Sequence, residues 1–232
     1  MTVTHVLFDF FGTLVAYSPS RTEQGYPRSH ALLRAAECRL DYDAFLALWS
    51  EVSDALEVEA ERTHREFSMR ELADAFLLRA LGTSPPALAE ALVTTYLAEW
   101  NAGVRDLDGA AALLRRLAGR FTLGVVSNTN DADLVRGHLD RMGVRPLFAR
   151  VVTSVELGVR KPSPAIFAHA VQALGAAPER CVYVGDTYDA DYRGATGAGL
   201  LAFLIDPRAR APIPEAHRLE SLLAFEERSH SL

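Results

Sequence analysis

The nine residues Val6–Leu14, Val-Leu-Phe-Asp-Phe-Phe-Gly-Thr-Leu, constrain the fold of this chain more than any other stretch. A short apolar run that stops at Asp9 and Gly12 reads as a buried central strand with a carboxylate at its carboxyl end. The pattern then recurs. Apolar runs at Phe121–Val126, Phe148–Ser154, Cys181–Val184 and Leu200–Ile205 follow, separated by segments of helical period such as Leu134, Val135, Leu139, Met142 and Ile166, Phe167, Val171, Leu174. Strands that alternate with helices of this length predict an α/β fold built on a parallel, doubly wound sheet. In such a sheet the carboxyl ends of all strands lie on one edge, where ligands bind. Asp9, Ser127 and Asp186 each follow an apolar run, so three residues distant in sequence are expected on that edge.

A different pattern interrupts the rhythm after the first strand. Beyond Leu14 the residues read as loop, with Ser18-Pro19-Ser20 and Gln24-Gly25-Tyr26-Pro27 as breakers that suit a hinge. From about Ser29 to Trp100 the period is helical throughout: Phe45, Leu48, Trp49, Val52 and Leu56 share one face, and Ser68-Met69-Arg70-Glu71 spells a capping box. Gly82 and Pro85-Pro86 separate that helix from another carrying Leu88, Leu92, Tyr96 and Trp100. The expected organisation is a core of residues 1–15 and 105–232 with an all-helical subdomain, residues 16–104, inserted between. The insert's aromatic residues read as its own core. Asp108 is expected to cap the next helix, and Glu226–Leu232 to be a frayed tail.

Bulk properties narrow the function classes. With 232 residues and 49% hydrophobic content the chain can bury a sizeable core, and a net charge of −6 argues against nucleic acid or an anionic membrane as partner. Two cysteines, Cys38 and Cys181, provide neither a disulfide framework nor a zinc site, and no apolar run approaches a membrane span. A cytoplasmic protein is expected. One detail is sharper: of 24 basic residues all but one are arginine, and the single lysine is Lys161 in Gly158-Val159-Arg160-Lys161-Pro162. A lone lysine is either a survivor of coding bias or a position that needs a compact ammonium which a planar guanidinium cannot replace. It lies just before a helix that Ser163-Pro164 begins, within reach of the same sheet edge. Together with Asp189 and Asp191, these groups have the composition of a magnesium and phosphate site.

In this order, Asp9-Phe10-Phe11-Gly12-Thr13-Leu14, Val126-Ser127-Asn128, Arg160-Lys161-Pro162 and Val184-Gly185-Asp186-Thr187-Tyr188-Asp189-Ala190-Asp191 resemble the four motifs of the haloacid dehalogenase superfamily. The resemblance is to the group with a helical cap between the first two motifs, on a Rossmann-like core, and it covers nearly the whole chain. It implies that Asp9 attacks an electrophile and becomes covalently modified, that Thr13, Ser127, Asn128 and Lys161 bind the transferring group, and that Lys161 offsets charge on both partners. It further implies Mg²⁺ as cofactor, held by Asp9, the backbone carbonyl of Phe11 and Asp186, with Asp191 in support, and a small, phosphorylated substrate. Asp189 reads as an extra acid or a helix cap. The glycines from Gly194 to Gly199 read as packing residues.

Phe11 departs from the phosphatase pattern. Phosphatases of this superfamily carry an aspartate there that protonates the leaving oxygen, and loss of a general acid typically slows a reaction by about 10²–10⁴-fold. The residues leave three readings: a Mg²⁺-dependent phosphohydrolase suited to leaving groups that need no proton, a 2-haloacid dehalogenase-like hydrolase, or a non-catalytic binding or regulatory relative. Dehalogenases place an aromatic residue at this position but use no metal and lack an equivalent of Asp186; they also need an arginine for the substrate carboxylate, for which Arg28, Arg34 and Arg39 are candidates. A phosphonatase would need a cap lysine, and residues 16–104 contain none. Specificity candidates near the hinge are Arg21, Tyr26, His64 and Arg65.

Overall fold

The computed structural model describes residues 2–17 and 24–232; Ser18-Pro19-Ser20 and Arg21 lie outside them. The backbone divides into two compact units, Met1–Ala16 with Arg105–Leu232, and Tyr17–Val104.

The first unit begins with β1 (His5–Phe8) and the two-residue β2 (Val15–Ala16). The second unit supplies α1 (Pro27–Ala35), α2 (Tyr42–Thr63), α3 (Met69–Leu81) and α4 (Pro86–Trp100). The chain then returns through β3 (Arg105–Asp106), α5 (Ala110–Ala118), β4 (Thr122–Ser127), α6 (Ala132–Arg141), β5 (Phe148–Thr153), α7 (Ser154–Leu157) and α8 (Pro164–Ala173). Last come β6 (Cys181–Gly185), a π-helical turn over Tyr188–Arg193, α9 (Gly194–Gly197), β7 (Leu201–Ile205), β8 (Arg218–Leu219) and α10 (Phe225–Ser229).

Six strands form one wholly parallel sheet in the order β5-β4-β1-β6-β7-β8. The direction of winding reverses beside β1, which makes its carboxyl end the crevice where a doubly wound sheet binds ligands. Register then places the site. Phe8 lies level with Val125 of β4 and Val184 of β6, so Asp9, Ser127 and Asp186 leave three neighbouring strands within about one residue of one another. The central strands are continuous apolar runs because helices cover both faces, and Val6, Leu7, Phe8, Val182 and Val184 are fully buried. Each such side chain stabilises the fold by about 1.5–3 kcal/mol.

In the helical unit the apolar faces of the helices meet around Tyr26, Leu33, Phe45, Trp49, Phe76, Leu92 and Tyr96. Trp49 stacks on Tyr96 at 4.2 Å between ring centroids, and Tyr96 stacks on Tyr26 at 4.5 Å. The capping box forms as its sequence spells it: Ser68 Oγ accepts from the Glu71 amide at 3.1 Å, and the Ser68 amide donates to Glu71 at 2.7 Å. Gly82, left-handed at φ 75°, ends α3.

Several local expectations fail for lack of tertiary information. The segment after Leu14 is not plain loop, because Val15–Ala16 pairs antiparallel with Arg105–Asp106 some ninety residues on. Asp108 does not cap α5; Gly109, left-handed at φ 81°, takes the cap position with no side-chain hydrogen bond. The last residues are not a frayed tail. They contain α10, whose Ser229 is buried and holds Arg120 through its hydroxyl at 3.0 Å and its carbonyl at 2.7 Å. The two-residue strand β8 is too short to carry a period. Gly194 packs as expected, since a Cβ there would collide with Phe167, but nothing lies near Gly197.

Candidate active site

Lys161 organises the site from the loop between α7 and α8. Its ammonium is buried, 4% exposed, and its three N–H bonds find three oxygens: Asp9 Oδ1 at 2.6 Å, Asp191 Oδ1 at 2.7 Å and the Tyr183 hydroxyl at 2.8 Å. An ammonium has three donors and no acceptor, so this arrangement satisfies it completely. Burial alone would lower its pKa, but the adjacent Asp191 and Asp9 outweigh that and raise it. Asn128 fixes the Lys161 backbone from both sides, accepting from its amide at 2.8 Å and donating to its carbonyl at 3.0 Å. The Asn128 side chain thereby places Lys161.

Asp191 is saturated in the same sense. One oxygen accepts from Lys161 and lies 3.1 Å from the Tyr183 hydroxyl; the other accepts from the amides of Asp186 and Thr187 at 3.1 and 2.9 Å. It lies against Gly185, where a Cβ would collide with its side chain. Asp9 and Asp186 are open by contrast. Asp186 accepts a 3.3 Å contact from the Thr187 hydroxyl, and its carboxylate rests in the notch above Gly12, which a Cβ would fill. Gly12 is also left-handed at φ 89°, so both the turn and the close approach require glycine.

Asp9, Asp186 and Asp191 each offer an oxygen within 4.8 Å of the others. Three carboxylates thus face one ammonium. Burial, opposed by Lys161 and reinforced by Asp191 and Asp186, raises Asp9 to about 7. Burial and the neighbouring Asp191, opposed by Lys161, raise Asp186 to about 6. This excess of negative charge on hard oxygen donors fits a divalent cation such as Mg²⁺.

The remaining predicted residues divide between the two units. Ser127 is fully buried at the end of β4, its hydroxyl 3.3 Å from the Asn128 carbonyl. Thr13 is fully buried, and its Oγ1 has no hydrogen-bond partner among the described residues. Phe11 meets Phe10 edge-on at 5.0 Å and His138 of α6 at 6.2 Å. Asp189 is exposed and pairs with Arg193 at 2.8 Å; it does not cap a helix by a side-chain bond. Arg28, Arg34, Arg39, Tyr26, His64 and Arg65 belong to the helical unit. Tyr183 was not foreseen. Its hydroxyl receives Lys161, lies 3.1 Å from Asp191 and donates to the Val126 carbonyl at 3.0 Å. The available signal was one hydroxyl inside the otherwise apolar run Cys181–Val184.

Known proteins resemble this chain over most of its length. A family model described as haloacid dehalogenase-like hydrolase matches residues 3–199. The glyceraldehyde 3-phosphate phosphatase of Methanopyrus kandleri is 34% identical over 86% of this chain and 82% of its own. The pyrimidine 5'-nucleotidase YjjG of Escherichia coli is 28% identical over 94% of this chain and 96% of its own. Among solved structures, a 2-haloacid dehalogenase from Pseudomonas syringae superposes over 99% of both chains with a TM-score of 0.75 at 23% identity, a likeness of fold. No helix among the described residues is long and apolar enough to cross a membrane.

Proposed function

The chain belongs to the haloacid dehalogenase-like hydrolase family, and we propose that its reaction is Mg²⁺-dependent hydrolysis of a small phosphorylated metabolite with Asp9 as nucleophile. The observation that carries this reading is the uncompensated charge of the cluster: Asp186 has no cationic partner among the described residues, and Asp9 shares its one ammonium with Asp191. A bound divalent cation would balance that charge and hold both carboxylates ionised.

Asp9, Asp186 and the Phe11 carbonyl are the groups that would hold Mg²⁺, while Asp191, already saturated, positions Lys161 and the turn at Asp186. When bound, the ion supplies neutralisation of phosphoryl oxygens as a Lewis acid. Asp9 attacks phosphorus and forms an aspartyl-phosphate, the bond to the leaving oxygen breaks, and water then releases inorganic phosphate. Lys161 lowers the repulsion between carboxylate and phosphate dianion. The Ser127 hydroxyl, the Thr13 hydroxyl with its free valence and the backbone N–H groups after β4 receive the phosphoryl oxygens. Phe11 cannot protonate a leaving group, so substrates whose leaving group departs as an anion, such as acyl phosphates, are favoured over simple phosphomonoesters. The phosphatase and nucleotidase names of the two relatives support the substrate class.

Phe11 itself favours a second reading, 2-haloacid hydrolysis, because halide leaves without a proton. One panel decides between them: phosphomonoesters, acyl phosphates and 2-haloacids assayed with Mg²⁺ and with chelator. Phosphate release that needs Mg²⁺ is expected, fastest with acyl phosphates. Halide release indifferent to chelator overturns the phosphohydrolase.

A further inference from the structure

Beside Asp186, the carboxyl ends of β6 and β7 border a cleft of about 320 Å³ that extends from the fourth motif to the loop after β7, which belongs to none of the four. Asp186, Tyr188, Leu204, Asp206, Arg210 and Pro212 line it. A cleft of this size suits a small molecule.

The loop after β7 is built rather than slack. Asp206 accepts from the amides of Arg210 at 3.1 Å and Ala211 at 2.9 Å. From β8, Arg218 pairs with Asp206 and donates to the carbonyls of Ala211 at 3.1 Å and Ile213 at 3.5 Å; the two paired side chains are only about a tenth exposed. Arg218 also pairs with Glu215 at 3.0 Å, so Asp206 and Arg218 are both committed within the loop. Arg210 is left over. Its guanidinium makes no ion pair or hydrogen bond among the described residues, although a fixed backbone presents it to the cleft that begins at Asp186. The proposed metal carboxylate, Asp186, and an uncommitted planar cation, Arg210, therefore line one cleft, together with the apolar Leu204 and Pro212.

We propose that Arg210 determines specificity by binding a second anionic group, a carboxylate or a phosphate, on the substrate whose transferring phosphoryl group is held at Asp9 and Asp186. The inference rests on the phosphohydrolase reading and narrows its substrate to phosphate esters or acyl phosphates that carry another negative group. A guanidinium presents parallel N–H donors matched to either oxyanion, which a solvated surface lysine would not.

Calorimetric titration of the full chain in Mg²⁺ with methylphosphonate, 3-phosphonopropionate and propane-1,3-diphosphonate tests it; the last two separate carboxylate from phosphate. The wild type should bind at least one bifunctional ligand about 10-fold more tightly than methylphosphonate. Arg210→Ala should remove that preference, leave methylphosphonate binding unchanged and leave Tm unchanged, since the side chain has no partner to lose. Arg210→Lys should restore part of the preference. A wild type that does not discriminate, or an Arg210→Ala variant that still does, overturns the inference while the phosphohydrolase stands. If no phosphonate binds in a Mg²⁺-dependent manner, the phosphohydrolase reading fails and this one with it.

Discussion

Two buried carboxylates, one in each unit, show what separates structural burial from a reactive site. Glu99 of α4 is 8% exposed and Asp9 is 6% exposed, so burial does not distinguish them. Their partners do. Glu99 accepts from the amides of Arg28 and Ser29 at 2.7 and 2.9 Å and from the Ser29 hydroxyl at 2.7 Å, at the amino end of α1. The cap residue of that helix, Tyr26, makes no side-chain capping bond, so a glutamate some seventy residues away does the capping instead. Asp9 draws on a single ammonium that it shares with Asp191, while Asp186 pushes on it from the other side. Glu99 is finished by neutral donors and has no task left. Asp9 is incomplete until something positive or electrophilic arrives.

The sharpest way to break this contrast is Asp9→Asn. Turnover should fall at least about 10³-fold, as for other covalent nucleophiles, yet urea unfolding should show no loss of stability, because the variant relieves an excess of like charge. A marked loss of stability would place Asp9 with Glu99. Lys161→Arg should lower kcat by about 10²-fold, the scale of a displaced electrostatic group, even though charge is kept, since a planar guanidinium cannot direct three donors to Asp9, Asp191 and Tyr183. Wild-type kinetics in that variant would reduce the lone lysine to coding bias. Phe11→Asp should raise phosphomonoester turnover by roughly 10-fold, recovering part of a general acid's contribution, with a smaller gain for acyl phosphates; an equal gain for both would show that leaving-group protonation is not the limit.

The same contrast predicts a purely structural loss on the other side. Glu99→Gln should cost about 1–3 kcal/mol in urea unfolding by leaving α1 poorly capped, while the Mg²⁺ affinity of the folded protein stays as in the wild type. A changed metal affinity would contradict the assignment of Glu99 to the fold alone. The smallest effect concerns His138, which stacks on Phe10 at 5.9 Å and meets Phe11. Burial, aided by Arg141 and opposed by Asp106, lowers it from 6.5 to about 4. Between those values the unfolded chain binds more protons than the folded one, so this contribution is intact above about pH 6.5 and is lost as pH falls through the window. Relative to His138→Leu, the wild type should lose about 1 kcal/mol between pH 7 and pH 5.5. Parallel pH profiles for the two proteins would show that the ring beside Phe11 does not titrate this way.

What the sequence determined by itself was set by patterns that act locally. The apolar runs at Val6–Phe8 and Cys181–Val184 read as buried strands, their alternation with helices implied a parallel sheet, and the geometry of such a sheet brings Asp9, Ser127 and Asp186 to one edge. The Ser68–Glu71 capping box and the Ser163 start of α8 were legible for the same reason, since the groups that bond lie within a turn of each other. The tertiary structure alone decided matters that depend on contact between distant residues. Asp191 became a positioning group and Asp186 an open one through which amides and cations reach each oxygen, although both are aspartates in one motif. The same applies to the pairing of Val15–Ala16 with Arg105–Asp106, the anchoring of the carboxyl-terminal helix by Arg120, and the role of Tyr183, whose hydroxyl matters only because Lys161 arrives beside it. Spacing along a chain fixes which backbone forms; how the oxygens of a buried carboxylate are shared out is fixed by neighbours that the spacing does not record.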